Sequence, residues 1–142
     1  MPLPESFSGG CLCGSVRYQV EGRVRYMGNC HCRDCQQATG SAYLAAVGVK
    51  TDDFKVTKGE AKWFVSKADN GHDIRRAFCP DCGSPVFLEN TVNSHLTVLY
   101  AGSLDDPSWY EPGRDIFVSS AQPWNPMNME LPKHDKMPEM PK

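Results

Sequence analysis

Residues 11–35 read CLCGSVRYQVEGRVRYMGNCHCRDC, and this stretch holds five of the seven cysteines of the 142-residue chain. Between the cysteines, Val16, Tyr18 and Val20 alternate with polar neighbours, Gly22 interrupts, and Val24 and Tyr26 resume. A period of two is the mark of a half-buried strand, so the run reads as a hairpin broken at Gly22. The remaining cysteines, Cys79 and Cys82, form Cys-x-x-Cys, to set beside Cys-x-Cys at Cys11 and Cys13 and Cys-x-Cys-x-x-Cys at Cys30, Cys32 and Cys35. None stands alone. One or two intervening residues is the spacing that lets neighbouring sulfurs reach one ion. An odd number also forbids complete internal pairing. The opening MPLPESFSGG lacks the basic start and apolar stretch of a secretory signal, which points to the cytoplasm, where thiols stay reduced. Metal ligation is therefore the leading reading.

Thiolate softness selects zinc, copper(I) or iron-sulfur over magnesium and calcium, with zinc the default. Seven sulfurs divide as four plus three. Four close a tetrahedral structural site, whereas three leave a position for water or substrate, as catalytic zinc does. One division joins Cys11 and Cys13 to Cys79 and Cys82 and leaves the central trio open; another joins Cys30 and Cys32 to the last pair. The first keeps every local cluster intact and is the better on geometry.

Working outward, SAYLAAVGV, PVFLEN and HLTVLYAGSL are strand-length apolar runs. DFKVTKGEAKWFVSKAD reads as a second hairpin about Lys58-Gly59, between Phe54/Val56 and Trp63/Val65. Only Arg33 to Gly40 suggests a short helix, with Gly40 as its stop. Strands at roughly ten-residue spacing predict an all-β antiparallel sandwich or open barrel. We expect one domain over 1–118 and an extended tail over 119–142. The tail carries Pro123, Pro126, Pro132, Pro138 and Pro141 with four methionines, and Trp124, Pro126 and Met127 are its apolar anchors for docking. Fifteen Lys and Arg against seventeen Asp and Glu give a net charge of -2, which disfavours nucleic acid as a partner. No apolar run approaches the roughly 20 residues of a membrane span.

GGCLCGSVRY, NCHCRDCQQATGSAYLA, FCPDCGSPVF and SSAQPWNPM together resemble the glutathione-dependent formaldehyde-activating enzyme family, whose domain is shared with centromere protein V. The resemblance covers nearly the whole chain. It implies an all-β, Mss4-like fold with two zinc ions: a structural one on Cys11, Cys13, Cys79 and Cys82, and a catalytic one on Cys30, Cys32 and Cys35. It further implies an S-hydroxymethylglutathione synthase-like carbon-sulfur lyase, which adds glutathione, or another small thiol, to formaldehyde or a related small electrophile. In this reading the structural ion closes a loop of 65 residues, 14 to 78, and removes much freedom from the unfolded chain. In CPDCGS, Pro80 presets the turn and Gly83 can take the positive φ that a knuckle needs.

Three thiolates around a divalent zinc leave a net charge of about -1, which weakens the ion as a generator of hydroxide but suits it to hold an incoming thiol as thiolate. A proton donor must then quench the developing alkoxide, and His31, Asp34 and Tyr43 are candidates by proximity. Arg33, Arg75 and Arg76 are the cations that would meet an anionic thiol. Two other readings stay open: a zinc-stabilised binding module whose trio is closed by His31, His72, His95 or His134, and a thiol redox or metal sensor. His31, between two ligands, is expected to point away from the ion they share.

Overall fold

The computed structural model describes residues 2–139; Met140 and Pro141 of the expected tail lie outside the described residues. The fold is all-β, with one α-helix among those residues. A three-stranded antiparallel sheet takes β1 (Ser6–Gly10), β2 (Arg17–Glu21) and β5 (Phe54–Lys58) in the order β1-β2-β5. A seven-stranded sheet is built from β3 (Tyr26–Cys30), β4 (Leu44–Lys50), β6 (Lys62–Lys67), β7 (Asp73–Phe78), β8 (Pro85–Asn90), β9 (Leu96–Tyr100) and β10 (Asp115–Ile116). Its order is β10-β3-β4-β9-β8-β7-β6, antiparallel except where β10 runs parallel to β3. No helix among the described residues is long and apolar enough to cross a membrane.

Alternation along the central strands buries both faces of the large sheet, because successive side chains point to opposite sides. Val47, Val49, Phe87 and Leu99 join Val16, Tyr18 and Val20 of the small sheet in one core. Their strand neighbours Ala46, Leu88 and Tyr100 join Cys30, Cys35 and Leu44 in a second core on the other side. Helix α1 (Arg33–Thr39) contributes Cys35 to that second core and ends at Gly40, as the sequence predicts.

Both expected hairpins are absent, although the strands themselves form. β2 pairs with β1 and β5, and β3 pairs with β4 and β10. The bend at Gly22 therefore carries the chain from one sheet to the other. Likewise β5 pairs with β2, and β6 pairs with β7. The crossing passes Gly59, where a Cβ would stand 2.0 Å from the Ser15 carbonyl oxygen; only glycine lets the two backbones approach so closely. β1, a Ser- and Gly-rich strand, carries no alternating apolar signal by which its residues would announce it.

Beyond β10 the described residues form no further regular strand, in line with the prolines there, yet they lie against the large sheet by polar contacts. Trp124 is 66% exposed and is not an anchor. Gln122, Asn125 and Lys133 make the contacts instead, with Gln36, His31 and Asp115 respectively.

Candidate metal and thiol site

The sulfurs of Cys11, Cys13, Cys79 and Cys82 lie within 4.8 Å of one another. Cys13 Sγ is 3.7 Å from both Cys11 Sγ and Cys79 Sγ. A tetrahedron with zinc-sulfur distances near 2.3 Å has edges of about 3.8 Å, so the donor set fits zinc. The two halves are built alike. In the first, the Val16 amide donates to Cys11 Sγ at 3.2 Å, and Ser15 Oγ lies 3.2 Å from Cys13 Sγ. In the second, the Asp81 amide donates to Cys79 Sγ at 3.4 Å, and Ser84 Oγ lies 3.2 Å from Cys82 Sγ. Gly83 adopts φ +75, the conformation expected of it, and its amide closes the turn on the Cys79 carbonyl at 2.8 Å. Hydrogen bonds from Ser84 draw the Cys82 thiol down to about 5, whereas burial pushes Cys79 up to about 11, so it is at Cys82 that the thiolate, the form that binds metal, is favoured.

Cys30, Cys32 and Cys35 form the second group, again within 4.8 Å of one another. Cys30 is the last residue of β3, Cys32 caps α1, and Cys35 sits one turn into it. The Cys35 amide donates to Cys32 Sγ at 3.3 Å. Contacts between the sulfurs separate the three thiols. Hydrogen bonds from Cys30 and Cys35 hold Cys32 down to about 3. The Cys32 and Cys35 contacts, with burial, push Cys30 far up. At Cys35 the Cys30 contact pulls down, but Cys32 and burial outweigh it and raise the thiol to about 12. The charged form is thus favoured at Cys32 and opposed at its two neighbours, and a divalent ion would take all three by displacing the remaining protons. Among the described residues no fourth His, Cys, Asp or Glu donor joins this group.

His31 is turned away, as expected for a residue between two ligands. It is 1% exposed, and its Nε2 lies 2.8 Å from Asp115 Oδ1. Tyr43 packs its ring 5.3 Å from the imidazole, while Asp34 is exposed in the first helical turn. The arginines separate sharply. Arg33 bonds Gln36 at 2.8 Å. Arg75 lies over Trp63 at 4.4 Å and pairs with Glu89, while its neighbour Arg76 is brought beside Cys35 and Tyr100. Arg76 is 8% exposed; Nη1 donates to Ser66 Oγ at 3.1 Å, and Nε is buried without a hydrogen-bond partner among the described residues. Burial opposes its charge, but electrostatic attraction to Cys35, Tyr100 and Cys32 and the hydrogen bond to Cys35 together outweigh that and favour the cation.

Sequence reasoning missed Tyr100, Asp115 and Lys133, none of which belongs to a motif. Tyr100 is 6% exposed, and burial pushes its phenol up to about 12 although Arg76 opposes the shift. It also lines a cleft of about 580 Å³ that runs past Leu12, Ser84, Arg17, Asp105 and Tyr43. The three thiols are not part of the cleft wall.

A family model described as glutathione-dependent formaldehyde-activating enzyme matches residues 6–120. A crystal structure of a Rhodobacter sphaeroides protein superposes with a TM-score of 0.56 at 18% identity, covering 89% of this chain and 98% of that one. At that identity the likeness is one of fold.

Proposed function

The chain belongs to the glutathione-dependent formaldehyde-activating enzyme family, and from that premise we propose that it is a zinc-dependent enzyme of the carbon-sulfur lyase type. It joins glutathione, or another small thiol, to formaldehyde or a related small electrophile at Cys30, Cys32 and Cys35. Cys11, Cys13, Cys79 and Cys82 hold a structural zinc, and residues 1–118 and the tail 119–142 act as one unit. The observation that carries this reading is the convergence of three thiols with no fourth donor among the described residues. A zinc ion on the trio would supply one further coordination place, at which an outside sulfur is kept as thiolate.

The remaining chemistry falls to the chain's own groups. Adduct formation makes a bond from the thiol sulfur to the carbonyl carbon; the π pair moves onto oxygen, which takes up the proton that the thiol gave up. Arg76, beside Cys35, offsets the negative charge that gathers at the trio. Tyr100, still protonated at neutral pH, can donate a hydrogen bond to the developing alkoxide. His31 is committed to Asp115 and is not that donor.

The test is metal content with and without glutathione, on the parent chain and on Cys32→Ser, together with the rate of glutathione-formaldehyde exchange followed by magnetization transfer. The reading expects two ions in the parent, one of them perturbed by glutathione, a single ion in Cys32→Ser, and acceleration over the uncatalysed exchange by the parent alone. A parent that holds one ion in excess zinc overturns it.

A further inference from the structure

β10 is only two residues long, yet it fastens the strand that leads into the trio. The Asn29 amide donates to the Arg114 carbonyl and the His31 amide to the Ile116 carbonyl, each at 3.0 Å. The tail fastens β10 from its other side. The Asp115 amide donates to the Pro132 carbonyl at 2.9 Å, and the His134 amide to the Asp115 carbonyl at 2.9 Å. Three extended segments, 29–31, 115–116 and 132–134, therefore lie side by side.

A chain of side chains runs across the same three segments. Lys133 Nζ donates to Asp115 Oδ2 at 2.7 Å, and the opposite carboxylate oxygen stands 2.8 Å from His31 Nε2. Lys133 is one-fifth exposed, whereas Asp115 and His31 are almost wholly buried. Burial works against the Asp115 charge, but the hydrogen bonds from Lys133 and His31 outweigh it and keep the carboxyl below its ordinary range. A buried carboxylate with two such partners is costly to orphan. Gln36 reinforces the join: its Nε2 donates to the His31 carbonyl at 2.7 Å and to the Ser120 carbonyl at 3.0 Å, and Gln122 donates to its Oε1 at 3.0 Å. Lys133 and Gln122 lie beyond residue 120, where the family match ends.

We propose that residues 121–134 are a clamp on the three-thiol site, in which Lys133, acting through Asp115 and His31, holds the Cys30–Cys32 backbone and so sets the spacing of the trio. Lys133 and Asp115 are positioning residues, and the consequence for metal rests on the function proposed above. Outer-sphere groups of this kind change metal affinity by about 10- to 100-fold when removed.

Lys133→Met, which keeps the aliphatic stem, and Lys133→Arg, which keeps the charge, are compared with the parent as full chains. Two readouts are taken: amide hydrogen exchange, and chelator competition for each ion. In Lys133→Met the Asn29 and His31 amides are expected to exchange at least about tenfold faster while those of β8 do not change, and the more weakly held ion to lose about 10- to 100-fold in affinity while the tighter one keeps its own. Lys133→Arg should restore both. Unchanged exchange at Asn29 and His31 overturns the clamp. Faster exchange with unaltered affinity for the second ion overturns the positioning role. A parent chain that binds a single ion sinks the proposed function instead, and the exchange comparison then decides the clamp by itself.

Discussion

Cys13 and Cys79 are 66 residues apart in sequence and 3.7 Å apart in space, whereas Cys30, Cys32 and Cys35 come from one six-residue stretch, 30–35. An ion on the first group would tie the turn between β1 and β2 to the turn between β7 and β8, elements the unfolded chain leaves far apart. An ion on the second would join β3 to α1, which the backbone already joins. Loop closure rewards the first and offers almost nothing to the second. On the function proposed above, the same donor atom would thus serve two purposes. Where it closes a long loop, binding energy is spent on the fold; where the loop is trivial, the ion can gain or lose a ligand without unfolding anything.

Cys79→Ser is the hardest blow to that contrast. Structural zinc sites contribute about 10 to 16 kcal/mol at neutral pH, against a typical domain stability of about 5 to 15 kcal/mol. The variant should show no cooperative thermal transition by circular dichroism; a melt within a few degrees of the parent would mean the group is not a staple. Cys32→Ser should do the reverse. Serine is itself a good N-cap, so α1 keeps its start and the melting temperature stays within about 5 °C, about 1 to 2 kcal/mol for a chain this long. One ion per chain is lost, and glutathione-formaldehyde exchange falls to the uncatalysed rate. Should Cys32→Ser unfold, the trio is as structural as its counterpart.

How much of this contrast could be read from residues alone follows from what each signal encodes. Local spacing showed both clusters, because ligands one or two residues apart must share a neighbourhood. It also located β4, β8 and α1, each a run with its own stop. Partners were another matter. Alternation at Val16, Tyr18, Val20 and at Val24, Tyr26 says that strands exist, not which edges meet, and a glycine between strands serves a crossing as well as a turn. Arg75 and Arg76 show the same limit: adjacent residues on β7 must face opposite ways, and only the packed sheet decides which of them meets Cys35. Asp115 and Lys133 carry no motif, since their meaning arises from three segments brought together in space.

Arg76→Gln sharpens the difference from the side of charge. Among the described residues only the trio has a buried guanidinium beside it, so removal should weaken the more loosely held ion by about tenfold, roughly 1.4 kcal/mol, and leave the other untouched. Chelator competition reads both affinities in one titration. Equal weakening of the two ions would make Arg76 a general packing residue, while no weakening would mean that the thiolates need no counter-charge.

Asp105→Asn should have the smallest effect, because it cuts a tie that runs parallel to the staple but lies in water. Arg17 on β2 donates to Asp105 Oδ1 at 2.8 Å, and the two side chains are 32% and 48% exposed. Hydrogen bonds from Arg17 and Ser8 hold the Asp105 carboxyl down to about 2, below its ordinary 3.8. A carboxyl depressed in the folded state contributes fully above its unfolded value and loses that contribution as pH falls through the folded one. The pair joins residues 88 positions apart, much as the four cysteines do, but screening limits an exposed pair to about 0.2 to 1 kcal/mol, no more than about 3 °C. The gap between parent and Asp105→Asn melting temperatures should therefore be full at pH 7 and close as pH falls from about 4 toward 2. Since acid also protonates thiolates in both proteins, only the difference between them isolates the carboxyl. A gap that persisted at pH 2, or one that rivalled Cys79→Ser at pH 7, would show that the ion pair and not the sulfur cluster holds these distant segments together.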